Sequence, residues 1–360
     1  MVLLAFVIKR LSYGFLVMWG VVTVVFLLFN VLPGDPARMM LDQREDAEQL
    51  KNIRAKYGFD KPLSTQYALY LNDLSPISLH SHELNDYSNL ESKAYSYFKL
   101  ASTKHTDIVI KFPYLRTSFK KSGKLVSHII SDTLPNTVVL ALSSILIAIV
   151  LGIFIGILAA IFKDSWIDKL ALFFGVLGMS VPSFFSAILI AWLFGFVLNH
   201  LTGLNMTGSL YSVDDYGRGE FLSLSNLILP AITLGVRPLA VIIQLTRASF
   251  LETLTQDYVR TAFAKGLSFV KVLRKHVLKN SLNPVVTAVS GWFASLLAGA
   301  VFVEYIFAWN GIGKEIVDAL NQLDFPVVMG SVLTIALMFV IINIVVDLIY
   351  GWLDPRIRMS

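Results

Sequence analysis

Hydrophobic and polar positions separate along this chain on a coarse scale, giving six long apolar runs at about 11–32, 134–162, 170–198, 226–247, 284–303 and 328–351. About 20 apolar residues cross the hydrocarbon core of a bilayer as a helix, and within lipid a helix satisfies its own backbone polar groups. The pattern predicts an all-α integral membrane protein with six transmembrane helices. It divides the chain into residues 1–32, an N-terminus and first span; 33–127, a long polar segment; 128–351, the transmembrane domain with a loop at 248–283; and a tail at 352–360. The run from Leu11 to Leu32 is too long for the core of a cleaved signal peptide and no Ala-x-Ala follows it, so an uncleaved first span is expected.

Within the long polar segment, Leu32-Pro33-Gly34-Asp35-Pro36 is a turn signal that stops the first helix. Ala47, Leu50, Ile53 and Tyr57 mark an amphipathic helix that Gly58 ends. Pro62 opens another, with Leu63, Tyr67, Tyr70, Leu71 and Leu74 on its apolar side. Residues 75–106 are rich in Ser, Asn and His without periodicity and read as a loop, whereas Asp107 to Phe112 alternates as a short strand. In the second apolar run Gly152 and Gly156 form a small-xxx-small face suited to close helix approach.

The stretch from Asp257 to Pro284 is a polar, basic island between two apolar runs. Leu251, Leu254, Tyr258 and Ala262 recur at spacings of three and four on one helical face. Gly266 stands where a helix C′ residue would sit, and Ser268 can cap a second helix. On that second helix Val270, Leu273 and Val277 make one face, and Lys271, Arg274, Lys275 and Lys279 the other. A helix–glycine–helix elbow of this kind suits a surface gripped from the aqueous side, or an amphipathic stretch lying on anionic lipid.

Charge orients these elements. Lys9 and Arg10 precede the first run, Arg356 and Arg358 follow the last, and the 248–283 loop is basic. The loops near 199–225 and 304–327 carry more Asp and Glu than Lys and Arg. The positive-inside rule then places both termini and the elbow in the cytoplasm, and residues 33–127 outside. The formal charge of +5 has no Lys/Arg block dense enough for nucleic acid, and the absence of cysteine excludes disulfides and thiolate metal sites.

Arg237 lies near the middle of the fourth run, between Gly235 and Pro238. A charge there costs about 2.5–3.5 kcal/mol on insertion scales, so it is expected to face the bundle interior or a wet cavity. It reads either as a pathway residue meeting a substrate carboxylate or as a structural partner of another helix. Glu304 is the second candidate pathway residue. Asp347, one turn beyond Asn343, reads as an acid snorkelling to the interface. His80, His82 and Glu83, with His105, are too loosely spaced for a metal centre, and none is expected. Gly311-Ile312-Gly313-Lys314 is too short for a P-loop, and no catalytic constellation is evident, so an enzyme is not expected.

Tyr258-Val259-Arg260-Thr261-Ala262 followed by Ala264-Lys265-Gly266-Leu267-Ser268 resembles the "EAA" loop of ABC-importer permeases in its dipeptide/oligopeptide form. The resemblance extends to Asn30-Val31-Leu32-Pro33-Gly34-Asp35-Pro36, Tyr57-Gly58-Phe59-Asp60-Lys61-Pro62-Leu63, Leu134-Pro135-Asn136-Thr137, Gly178-Met179-Ser180-Val181-Pro182-Ser183-Phe184, Val303-Glu304-Tyr305-Ile306-Phe307-Ala308-Trp309 and Leu353-Asp354-Pro355-Arg356. It covers nearly all of the chain except about 75–110, where additional residues occur. The naming glutamate of the loop is absent, Asn310 stands where proline is frequent, and Asn283 replaces an aliphatic residue.

The resemblance implies a type-1 ABC importer permease fold with a long external segment between helices 1 and 2, in a bacterial inner membrane. It implies half of a translocation pathway for di- or oligopeptides, completed by a second, similar permease. Cytoplasmic ATPase subunits use the ATP, an external solute-binding protein delivers the peptide, and this chain binds no cofactor. Asp257, Tyr258, Arg260, Thr261, Ala262, Lys265, Gly266 and Leu267 would form the ATPase-coupling loop, with Thr261 and Ala262 allowing close approach. Nickel or another small solute is the alternative cargo. The rival from another class is a secondary transporter driven by an ion gradient, against which the scarcity of interior acids counts.

Overall fold

The computed structural model describes residues 2–31, 47–83, 86–89, 96–121, 123–214 and 219–353. The turn signal at 32–36 and the tail at 354–360 lie outside the described residues, as does the side chain of Asp347. The chain forms two compact units. One comprises Met1–Arg10, Thr133–Val317 and Leu337–Ser360; the other comprises Leu11–Asp132 and Asp318–Ala336.

Among the described residues four helices are long and apolar enough to cross a membrane: Ile8–Phe29, Val126–Ile161, Ser225–Leu254 and Phe325–Val346. They belong to α1 (Val2–Val31), α4 (Val126–Ile161), α7 (Ser225–Leu254) and α13 (Phe325–Leu353). The helices α5 (Trp166–Ser180) and α6 (Ser183–Trp192, continued by a π-helical turn to Val197) make a fifth if the pair is one span, bent by 113°. Pro182 explains the bend: it has no N–H to donate and disfavours helical backbone at Val181, which is extended here. The expected span at 284–303 is divided between α10 (Asn283–Gly299) and α11 (Val301–Ile306), with the break at Ala300.

In the first unit α7 is the central helix. Gly152 and Gly156 of α4 pack on it so closely that an added Cβ would lie 2.7 Å from Ile242 and 2.6 Å from Thr246. The small-xxx-small face therefore serves packing within this chain. Gly178 of α5 makes a similar approach to Val236 and Ala240. Around these contacts Leu140, Ala187, Leu234, Val303, Phe307 and Trp309 form the largest buried cluster.

In the second unit the two predicted amphipathic helices are present as α2 (Ala47–Tyr57), ended by Gly58 at φ +69°, and α3 (Leu63–Leu74), opened by Pro62. Tyr70 of α3 packs with Val22, Val25 and Phe26 of α1 and Met329 and Leu333 of α13. The expected strand at 107–112 is β3 (Thr106–Lys111). The stretch 75–106, read as a loop, instead supplies β1 (Ile77–Ser81) and β2 (Tyr97–Ser102), in the antiparallel order β1-β3-β2. The signal was hidden because the polar residues Ser78 and His80 point inward while Ile77 and Leu79 are exposed, the reverse of the usual pattern. Against α3, Arg116 bonds Asp73 at 3.2 Å and lies over the rings of Tyr70 and Tyr87 at 5.0 and 5.5 Å, which offsets burial of its charge.

A candidate coupling elbow, a mid-span arginine and a locked corner

The elbow is built from the end of α7 onward. After Leu254 the backbone leaves the helix at Thr255 and Gln256, and α8 (Asp257–Ala264) begins. It ends as the glycine position predicts: Gly266 has φ +77°, its N–H donates to the Phe263 carbonyl at 2.9 Å, and the Leu267 N–H reaches the Ala262 carbonyl at 3.4 Å. This pair of bonds is a Schellman motif, in which a left-handed residue satisfies the last carbonyls of the helix. Ser268 occupies the N-cap of α9 (Phe269–Val272) in extended backbone, without a side-chain cap bond. A π-helical turn from Leu273 to Val277 and a short helix, Leu278–Ser281, complete the return.

Buried apolar side chains fasten this elbow to two spans. Val259, Ala262, Val272 and Val277 are enclosed with Ala160 of α4 and Phe250 of α7. The arms are joined by Phe263 stacked on Phe269, ring centroids 6.3 Å apart, and by Asn280 donating to the Tyr258 hydroxyl at 3.0 Å. The outward surface carries Asp257, Tyr258, Arg260, Thr261, Lys265 and Gly266, with Phe269, Lys271, Arg274 and Lys275 beyond. Arg260 and Asp257 approach to 3.8 Å but are both exposed, so their attraction is largely screened.

Three expectations change. Ala262 is buried and Leu267 partly buried against the same core, so the small side chain of Ala262 serves packing inside the elbow, and only Thr261 of the small pair faces outward. Val270 is 71% exposed, and Val272 takes its place inside. The π turn is the reason, because its wider winding brings Val272 and Val277, five apart, to the same buried face where a 3.6-residue period pairs others.

Just above the elbow, Arg247 of α7 holds Asp168 of α5 in a two-pronged pair, Nε to Oδ1 at 2.5 Å and a second guanidinium nitrogen to Oδ2 at 2.7 Å. Asp168 was not singled out from the sequence. The available signal was Ser165-x-x-Asp168, a helix-start box whose Ser165 hydroxyl accepts the Asp168 N–H at 3.4 Å.

Arg237 is exposed near the middle of α7, and among the described residues it makes no ion pair or hydrogen bond. Its neighbours Gly235 and Pro238 are buried. No structural pairing of Arg237 is present among the described residues. Glu304 is the opposite case, with no exposed surface at all. Its carboxylate accepts from the Thr137 hydroxyl at 2.6 Å and from the Gly313 and Lys314 N–H groups at 2.7 and 3.1 Å. It thus caps the start of α12 (Ile312–Asn321) and ties it to α4. A Cβ at Gly311 would lie 2.4 Å from that carboxylate, which explains the glycine there. Trp309 donates to the Asn136 carbonyl at 3.0 Å and Asn136 to the Asn310 carbonyl at 2.8 Å, closing the corner. The pathway expectation for Glu304 meets a carboxylate enclosed by its own chain.

The histidines are placed in the sheet unit. His80 bonds the Ser78 hydroxyl at 2.8 Å and the Ser88 carbonyl at 2.6 Å; His82 bonds Asp107 at 2.7 Å. Lys99 meets the other Asp107 oxygen at 2.5 Å, and these donors, Lys99 first, hold the Asp107 carboxyl well below the usual carboxylate range. Among the described residues no group of three or more His, Asp or Glu is arranged to hold a metal ion. Asn343 donates to the Phe339 carbonyl of its own helix at 2.7 Å.

Comparison with known proteins adds the family. Residues 152–359, more than half of the chain, match the family described as binding-protein-dependent transport system inner membrane component, and residues 3–77 match the N-terminal family of such membrane components. The dipeptide transport system permease protein of Alkalihalophilus pseudofirmus is 33% identical over 99% of this chain and 100% of its own length. The di/tripeptide transport system permease protein of Pseudomonas aeruginosa is 32% identical over 99% of both. The glutathione transport system permease protein of Salmonella paratyphi A is likewise 32% identical over 99% of both. The chain belongs to the binding-protein-dependent transport system inner membrane components.

Proposed function

We propose that this chain is the permease subunit of an ATP-driven ABC importer for di- and oligopeptides, with a type-1 importer fold of six spans. Peptide cargo is favoured over nickel or another small solute by the names of relatives aligned along their whole length. Family membership likewise disfavours a carrier driven by an ion gradient. A second permease completes the pathway, cytoplasmic ATPase subunits hydrolyse the ATP, and an external binding protein delivers the peptide. Both termini and the elbow lie in the cytoplasm of a bacterial inner-membrane protein, with residues 33–127 outside, a placement that the charge distribution supports.

The observation that carries the mechanism is the elbow itself. It is rigidly cored against α4 and α7, yet turns Tyr258, Arg260, Thr261, Lys265 and Gly266 outward. A partner that moves this surface moves the ends of both spans, because buried side chains transmit the displacement with little compliance. The Asp168–Arg247 pair carries it on to α5. Arg237 supplies a cation for a peptide carboxylate in the pathway, and Glu304 keeps the α11–α12 corner closed. The test is uptake by the reconstituted complex with and without ATP. Peptide accumulation that needs ATP and the ATPase subunits is expected; gradient-driven uptake by this chain alone would overturn the reading.

A further inference from the structure

The sheet β1-β3-β2 in the segment between α1 and α4 has two unlike faces. Ser78, His80, Asp107, Val109 and Lys111 are buried on one. On the other, Ile77 opposes Ile110, Phe98 opposes Ile110 and Leu79 opposes Ile108, so these residues share a face. Ile77, Leu79, Phe98, Leu100, Ile110 and Phe112 are all exposed, Phe98 at 70% and Phe112 at 85%. Soluble domains rarely show such a contiguous apolar surface, which marks an interaction site.

The attachment of the sheet says what covers it. α3 packs on α1 as far as Val22, seven residues inside the Ile8–Phe29 stretch and so about 10 Å along the helix from its end. It also reaches Leu333, eight residues into Phe325–Val346, about 12 Å from that end. The Tyr67 hydroxyl bonds Thr23 of α1 at 2.6 Å. α3 thus lies at the depth of the ends of two spans. The sheet is pinned directly to its C-terminus: Lys111 Nζ donates to the Asp73 carbonyl at 2.5 Å and the Ser75 carbonyl at 3.3 Å, and Asn72 exchanges two bonds with Leu79 at 2.7 and 2.9 Å. The exposed apolar residues Ile77, Ile110 and Phe112 sit at this pinned end. The far end of the sheet is the polar turn Thr103-Lys104-His105-Thr106. Apolar near the spans and polar away from them is the gradient of a membrane interface.

We infer that this face rests on the outer leaflet of the bilayer, with Phe112, Phe98 and Ile77 among the acyl chains next to the headgroups and the Lys104 turn in water. The inference rests on the external placement of residues 33–127 proposed above. It gives the segment a fixed stance on the lipid surface, with its polar end held toward incoming ligands.

The chain has no cysteine, so single substitutions report cleanly. Phe112→Cys, Leu79→Cys and Lys104→Cys are each coupled to a nitroxide in a complex whose other subunits have had any reactive cysteine replaced by serine. The complex is reconstituted in phosphatidylethanolamine–phosphatidylglycerol vesicles. Collision of the nitroxide with dissolved oxygen, which partitions into lipid, is compared with collision with a water-soluble nickel chelate. At positions 112 and 79 oxygen is expected to exceed the chelate several-fold, with the order inverted at 104. Strong chelate collision at 112 and 79 would put the face in water; poor access to both probes would put it under another protein. Either overturns the inference. An impermeant maleimide added to intact cells separates the two claims. No labelling at Lys104→Cys sinks the external placement itself, while labelling there with a chelate-accessible Phe112→Cys sinks only the lipid contact.

Discussion

Gly266 offers the sharpest test of the elbow. Its φ of +77° is a conformation that costs a side-chain-bearing L-residue about 1–2 kcal/mol, while nothing lies within 4 Å of the position a Cβ would take. Substitution therefore strains the turn without a clash. Against that strain stand three fully buried valines, Val259, Val272 and Val277, each contributing about 1.5–3 kcal/mol. The elbow is expected to stay folded in every variant at this position. Asn tolerates the left-handed region better than Ala, so Gly266→Asn isolates added bulk, Gly266→Ala isolates strain, and Gly266→Asp adds a negative charge to a basic surface. The assay is the ratio of peptide uptake to substrate-stimulated ATP hydrolysis in reconstituted complexes. Uptake per ATP should fall most in Gly266→Asp and least in Gly266→Ala, with complex assembly preserved. A Gly266→Asp complex that couples normally would refute the claim that this surface is the ATPase contact.

Other outcomes follow from the same geometry. Arg237→Ala should lower peptide uptake with normal assembly, since the side chain bonds nothing among the described residues; unchanged uptake of a library of peptides would remove it from the pathway. Glu304→Ala strips the acceptor from the Gly313 and Lys314 N–H groups, at about 1–3 kcal/mol for each donor left unsatisfied. The thermal midpoint of the purified complex should drop, and Glu304→Gln, which keeps one acceptor, should drop it less. Asp107 stays ionised in the folded sheet at acidities where an unfolded aspartate, with its ordinary pKa of 3.8, has taken up a proton. Its stabilisation is present above that value and is lost as pH falls below it. Pepsin cleavage within 77–111 should rise on acidification, and less steeply in Asp107→Asn.

The amino-acid order alone determined a good deal here. Long apolar runs can satisfy their backbone in lipid only as helices, so α1, α4, α7 and α13 were legible. Gly58, Pro62 and Gly266 placed helix ends because their backbone preferences are properties of single residues. The basic elbow was evident from charge alone. Facing was another matter. Whether Val270 or Val272 points inward depends on one π turn, whose extra residue leaves no trace in a pattern of apolar spacings. Glu304 and Arg237 read alike in sequence, an ion at the end of one apolar run and an ion within another, each a candidate for the pathway. Only the folded chain shows one locked against the start of α12 and the other left open. Of the sheet at 77–111 only β3 was legible, and β1 and β2 were missed for the same reason. Its apolar residues face outward, so the burial that normally reveals a strand is reversed, and what lies opposite a side chain is decided by residues distant along the chain.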